Sequence, residues 1–213
     1  MAPNCVVGDL QFERALMLTI LILAAGHSSR MRGEDKLLQD VDGKSLLRVV
    51  TERALETKLP VTIALPPTSP DRLMAVANLD VSIVQSADSA KGMAYSIRAG
   101  LAALPPKCTA LMILPADMPE ITKEDLLNLC RAWSETQSGV ILRASTATGQ
   151  PGHPVIFPKS CFDQLRKISG DEGARSVIAN KSTPLRLVPL PDHHALTDLD
   201  TPEDWIRWRA SKT

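Results

Sequence analysis

The apolar positions of this chain fall into short continuous runs, and each run gives way to a stretch with apolar residues at helical spacing. "LTILIL" (Leu18–Leu23), "VTIAL" (Val61–Leu65), "VSIV" (81–84), "TALMIL" (109–114) and "GVILRA" (139–144) have the length and β-branched content of buried strands. Residues 45–57, 69–77 and 92–104 read as helices between them. Two further helices mark their own starts. Thr122 stands before "KEDLLNLCRAW" with Asp125 three residues on, and Thr201 stands before "PEDWIRWRA" with Pro202 first and Asp204 third. In both, a hydroxyl and a carboxylate can satisfy the free N–H groups of a helix start. Apolar strands alternating with helices imply a mainly parallel sheet covered on both faces, one α/β domain over residues 17–213. Ligands of such sheets bind beyond the carboxyl ends of the strands. Three stretches fall there: residues 24–36, 115–119 and 198–200.

Residues 1–16 carry no clear period and read as an N-terminal extension or a start-site artefact. The apolar run over residues 15–25 has the length of a signal-peptide core, but Asp9 and Glu13 against Arg14 deny it a positive flank. It is also too short to span a bilayer, so it reads as a strand. The 213 residues carry 24 basic and 24 acidic side chains, a balance that argues against nucleic-acid or acidic-membrane partners. Aromatic residues make up 3%, too few for a base-stacking platform. Cys5, Cys108, Cys130 and Cys161 form no CxxC pair, which points to apolar filler positions and a reducing cytoplasm. His193 and His194 have no third ligand at metal spacing and read as a solvated loop.

The loop after the first strand changes the picture. Ala24, Ala25 and Gly26 leave room for a ligand to approach the backbone. Gly26, His27, Ser28 and Ser29 can aim several N–H groups and hydroxyls at one anion, and Arg30 and Lys36 add positive charge. Together they describe a polyphosphate cradle, although the loop is neither GxxxxGK[ST] nor GxGxxG.

"LAAGHSSRMRGEDKLL" closely resembles the loop of nucleotidyltransferases with the GT-A-like, three-layer α/β/α fold. "GMAYSIRAGL", "LPADMP", "GQPGHPVIFP", "GDEGAR" and "DLDTPEDW" follow in the order seen in the molybdenum-cofactor nucleotidyltransferase family, and look most like its cytidylyltransferase branch. The resemblance covers residues 18–205. One departure is Arg32 before Gly33, where the family often has Gly directly after Met; it is expected to lengthen or tilt the loop.

The resemblance implies transfer of a nucleotidyl group from CTP, or another NTP, to the terminal phosphate of a molybdopterin-type acceptor, with release of pyrophosphate. It implies Mg2+ as cofactor, held by Asp117 and Asp200, with Asp198 as the alternative second ligand. Arg30 and Lys36 would contact the triphosphate and share the catalytic role with Asp117. Leu23, Ala24, Ala25, Gly26, Ser28, Gly92 and Ser96 would complete the nucleotide site. Arg98 either reaches the site or supports the loop, and Asp35 orients the loop. Gly152, His153 and Arg175 are the implied acceptor-binding residues; His153 donates to an acceptor phosphate or is a structural imidazole. The LAAG form, against LAGG in the GTP branch, favours CTP because the Ala25 methyl crowds a purine more than a pyrimidine. Transient contact with a molybdoenzyme or its maturation chaperone would follow. Two rivals stand beside this reading: another acceptor, such as a sugar 1-phosphate or methylerythritol phosphate, and a nucleotide- or cofactor-binding protein without turnover.

Overall fold

The computed structural model describes residues 17–136, 139–180 and 182–212. The extension expected over residues 1–16, with its Cys5, lies outside them. Strand β1 (Leu18–Leu23) is followed by two single 3-10 turns, Ser29–Met31 and Lys36–Leu38, and a small ribbon of β2 (Asp40–Val41) and β3 (Lys44–Ser45). Next come α1 (Leu46–Leu55), β4 (Val61–Leu65), α2 (Pro70–Ala75), β5 (Ser82–Gln85), α3 (Met93–Ala102) and β6 (Ala110–Pro115). The chain continues through α4 (Lys123–Glu135), β7 (Ile141–Ser145), β8 (Pro151–Pro158), α5 (Phe162–Leu165), α6 (Arg175–Ala179), β9 (Leu185–Pro189) and α7 (Pro202–Ala210).

Seven strands form one sheet in the order β5-β4-β1-β6-β8-β7-β9. All run parallel except β8, which is antiparallel to β6 and β7. The period of two that sheets impose is visible in the core. Leu18, Ile20 and Ile22 of β1 face a layer with α1, α4 and α7, while Leu21 faces α3, α5 and α6 on the other side. β6 divides the same way, Met112 and Leu114 against Leu111 and Ile113. Each fully buried Leu or Ile contributes about 1.5–3 kcal/mol, which is why the sheet's centre can carry a polar loop at its edge. The helix starts form as their sequences dictate. Thr122 with Asp125 and Thr201 with Asp204 each make the reciprocal capping bonds, and Ser45 caps α1 by accepting from the Arg48 N–H. Trp205 is buried in the core and meets Trp208 edge to face at 5.7 Å, with Trp208 packed against the same cluster, so α7 lies on the body of the protein.

The stretch Gly149 to Pro158 enters strand β8, which is inserted between β6 and β7. β9 has no counterpart in the hydrophobic pattern, because only Val188 of its five residues is buried. Cys108, Cys130 and Cys161 are buried free thiols, and burial pushes the Cys130 thiol up to about 12. Among the described residues no helix is long and apolar enough to cross a membrane.

Candidate active site

β1 and β6 end level, Leu23 opposite Pro115, and so deliver their following loops to one edge of the sheet. The segment before α7 joins them there: the Leu199 N–H donates to the Asp117 carbonyl at 3.1 Å. A hollow of about 670 Å³ opens at this edge, within the usual range for small-molecule sites. Leu23, Ala25, Gly26, Ser28, Arg30, Lys36, Gly92, Ser96 and Asp117 line it, and so do Gly152, His153, Arg175, Asp198 and Asp200. Every site residue anticipated from sequence is therefore in one place except Ala24, which stands behind the wall. Ala24 is buried; its N–H donates to the Ala64 carbonyl and its own carbonyl accepts from Arg72. Arg98 faces a separate depression, over the Tyr95 ring at 5.5 Å.

Lys36 is the centre of the charge arrangement. Its Nζ donates to Asp117 Oδ2 at 2.5 Å and to Asp200 Oδ1 at 2.6 Å. Burial pulls the ammonium's pKa down, but the two carboxylates outweigh it and hold it above its ordinary value. Arg30, mostly exposed, pairs with the other oxygen of Asp200 at 2.7 Å. Burial and the neighbouring Asp117 and Asp200 charges push the Asp198 carboxyl up.

Two buried polar atoms of residues lining the hollow, Asp117 Oδ1 and Ser89 Oγ, have no hydrogen-bond partner among the described residues. Such atoms are costly unless something else satisfies them. Among the described residues no group of three or more His, Cys, Asp or Glu forms a ready-made metal cage. Asp117 and Asp200 instead offer the one or two carboxylates that Mg2+ takes when phosphate oxygens and water complete its octahedron. The residues present thus fit a cation that arrives with a nucleotide.

The loop over residues 24–36 is held in an unusual shape. Ser28 and Arg32 adopt left-handed conformations, φ 50° and 55°. Arg32 thus occupies a backbone state that favours glycine, and its side chain reaches Glu203 of α7 at 2.5 Å. Asp35 does orient the loop, accepting from the Ser28 hydroxyl at 3.1 Å and the Leu37 N–H at 3.0 Å. On one wall of the hollow, Gly92 has φ +128°, and an added Cβ would lie 2.4 Å from the Gly170 carbonyl oxygen. A Cβ on Gly152 would lie 1.8 Å from the Ala195 carbonyl oxygen. That same oxygen accepts from the His153 N–H at 2.9 Å.

Three residues escaped the sequence reading. Ser89 sits in a featureless polar stretch. Arg143, in the middle of β7, lines the hollow and donates to the Gly152 carbonyl at 2.9 Å; its signal would have been a lone arginine inside an apolar strand. Among the described residues neither Arg143 nor Arg175 has a carboxylate partner. Burial, together with the charges of Arg143 and Arg175, pushes the His153 imidazole down to about 4, against a weaker opposing effect of Asp117. His153 is therefore neutral at pH 7. The third, Arg72, is almost fully buried behind the loop, on the Ala24 carbonyl and the Asp35 carboxylate. His194 corrects the expectation of a solvated histidine pair: it is mostly buried, with Nδ1 2.8 Å from Asp125 Oδ2, while His193 is exposed.

Comparison with known proteins identifies the family. The chain is 27% identical to the purine catabolism protein PucB of Bacillus subtilis, over 90% of this chain and 96% of that one. It is 26% identical to a probable molybdenum cofactor guanylyltransferase of Rhodopirellula baltica, covering 86% and 88% of the two chains. Against the molybdenum cofactor cytidylyltransferase of Escherichia coli the identity is also 26%, covering 87% and 92%. Among solved structures, the Rv0371c homologue of Mycobacterium sp. strain JC1 superposes with TM-score 0.79 at 25% identity, over 93% of this chain and 97% of that one. Rv0371c of Mycobacterium tuberculosis, solved as a complex with manganese, superposes with TM-score 0.77 at 23% identity, over 91% and 98%. Residues 20–186 match the MobA-like NTP transferase domain. The chain belongs to that family, with its GT-A-like fold, and is a nucleotidyltransferase.

Proposed function

We propose that this chain is a CTP:molybdopterin cytidylyltransferase. The observation that carries the reading is one hollow with Lys36, Asp117 and Asp200 at its centre, the loop over residues 24–36 on one side, and on the other the Arg143 and Arg175 guanidiniums, which have no carboxylate partner among the described residues. The triphosphate would lie along the loop, against its N–H groups, the Ser28 hydroxyl and Arg30. The base would sit by Ala25, Gly92, Ser89 and Ser96. The acceptor's terminal phosphate would enter between Gly152, His153, Arg143 and Arg175.

In line with this placement, an oxygen of the acceptor phosphate attacks the α-phosphorus. The bond from that phosphorus to the β-bridging oxygen breaks, and its electron pair leaves with pyrophosphate. The attacking phosphate is already anionic and needs no general base, which suits a neutral His153 acting as a hydrogen-bond partner. Lys36 and Arg30 neutralise charge growing on the leaving group, and positioning supplies much of the rest. Mg2+ on Asp117 and Asp200 would add charge neutralisation at the reacting phosphates; a protein of this fold, Rv0371c, was solved as a complex with manganese, also a divalent cation. The product would pass to a molybdoenzyme or its chaperone, in the cytoplasm.

The choice of CTP over GTP rests on Ala25, which is buried and lines the hollow. One methyl is worth about 1–3 kcal/mol of discrimination. Relatives named for both nucleotides leave the base to experiment. Pyrophosphate release should require molybdopterin and be faster with CTP than with GTP, and Ala25→Gly should narrow that difference roughly 5- to 100-fold. An acceptor screen with sugar 1-phosphate and methylerythritol phosphate tests the rival: turnover with these and none with molybdopterin would replace the proposed acceptor. A protein that binds nucleotide but releases no pyrophosphate with any acceptor would be a binding protein instead.

A further inference from the structure

We infer that Arg72, which lies in α2 outside every motif of the sequence, is the positioning residue of the phosphate-facing loop. Its side chain is almost fully buried, although arginine is rarely buried without dedicated partners. Here one guanidinium holds both ends of the loop. Nη1 donates to the Ala24 carbonyl at 2.7 Å, where the chain leaves β1. Nε and Nη2 form a fork on the Asp35 carboxylate, at 2.6 and 2.9 Å, where the loop returns. Nη2 also approaches the Ser28 hydroxyl at 3.4 Å.

The consequence reaches Lys36 through two bonds. The Asp35 carboxylate accepts from the Leu37 N–H and so fixes the turn that starts at Lys36. The Ser28 hydroxyl donates to Asp35 and accepts from the Lys36 N–H at 3.2 Å. Ser28 is kept in its left-handed conformation while its oxygen serves both partners. Burial would raise the Asp35 carboxyl; the Arg72 fork and the Leu37 N–H hold it below its ordinary value, so the carboxylate stays charged. Lysine at position 72 would keep the charge but could not grip Asp35 with two parallel bonds while reaching Ala24. The inference needs only that the loop binds nucleotide phosphates, whichever base or acceptor is used.

The test compares wild type with Arg72→Met, Arg72→Lys and the double variant Arg72→Met/Asp35→Leu. Calorimetric titration with CTP and with GTP, each with Mg2+, gives affinity per folded molecule, and thermal melting gives stability. Arg72→Met should weaken the better nucleotide at least tenfold, and Arg72→Lys should recover part of the loss. The double variant removes the stranded carboxylate, so its melting temperature should recover while its nucleotide affinity stays low. It carries the test even if Arg72→Met fails to fold. Wild-type affinity in Arg72→Met, or recovery of affinity together with stability in the double variant, would reduce Arg72 to a counter-ion and overturn the inference. Wild-type protein that binds neither nucleotide would overturn the nucleotidyl-transfer reading as well.

Discussion

Asp117 has one oxygen on Lys36 and the other buried with no partner among the described residues, the one the proposal gives to a cation. Asp117→Asn keeps the size and loses the charge. It should lower the pyrophosphate-release rate roughly 10²–10³-fold or more and shift the melting temperature little, since Lys36 retains Asp200. Near wild-type turnover would move the cation elsewhere. His153 makes a second prediction at this scale. Its folded pKa, about 4, lies below the ordinary 6.5, so the unfolded chain binds the extra proton first. The stability this gives is present above pH 6.5 and is lost as pH falls from there to 4, at most about 3 kcal/mol. His153→Gln should therefore flatten the fall in stability over that interval, read from denaturant midpoints at successive pH values. An unchanged slope would contradict the buried neutral imidazole. Individual residues were legible in the sequence where a motif carried them, as with Lys36, Asp117 and Asp200. Arg72 was not, because its partners Ala24 and Asp35 are far away in sequence and nothing local distinguishes a buried arginine from a solvated one.

At the scale of elements, glycine sets how closely α3 and the turn after Ser169 approach. Gly92→Ala adds a methyl 2.4 Å from the Gly170 carbonyl at a φ of +128°. Both faults act on the wall of the hollow where the base is proposed to sit, at a cost of about 1–3 kcal/mol. The variant should melt lower and bind nucleotide more weakly; unchanged affinity would place the base away from α3. The continuous apolar strands and the two capping boxes could be read directly, since their signals are local. β8 could not be read in its place, because "GHPVIF" shows an apolar run but not the direction in which it pairs. β9 was invisible because it is an edge strand whose residues are mostly exposed. His194 likewise gains its meaning from Asp125, 69 residues away on α4.

For the whole molecule, the alternation of strands and helices predicts where a site must lie, and the sheet's carboxyl edge is where the hollow opens. The placement of β1 and β6 as neighbours brings the cradle loop and Asp117 together, and the register Leu23 opposite Pro115 makes them level. Acceptor chemistry was the least legible part. The proposed acceptor end adds Arg143, which no motif carried, to Gly152 and Arg175; the three line the hollow from separate stretches of chain. The most direct test of the account is pyrophosphate release by the intact chain with Mg2+, CTP or GTP, and molybdopterin present or absent. The account predicts release that needs molybdopterin and is faster with CTP. Release at equal rates without any acceptor, or none with either nucleotide when molybdopterin is supplied, would contradict it.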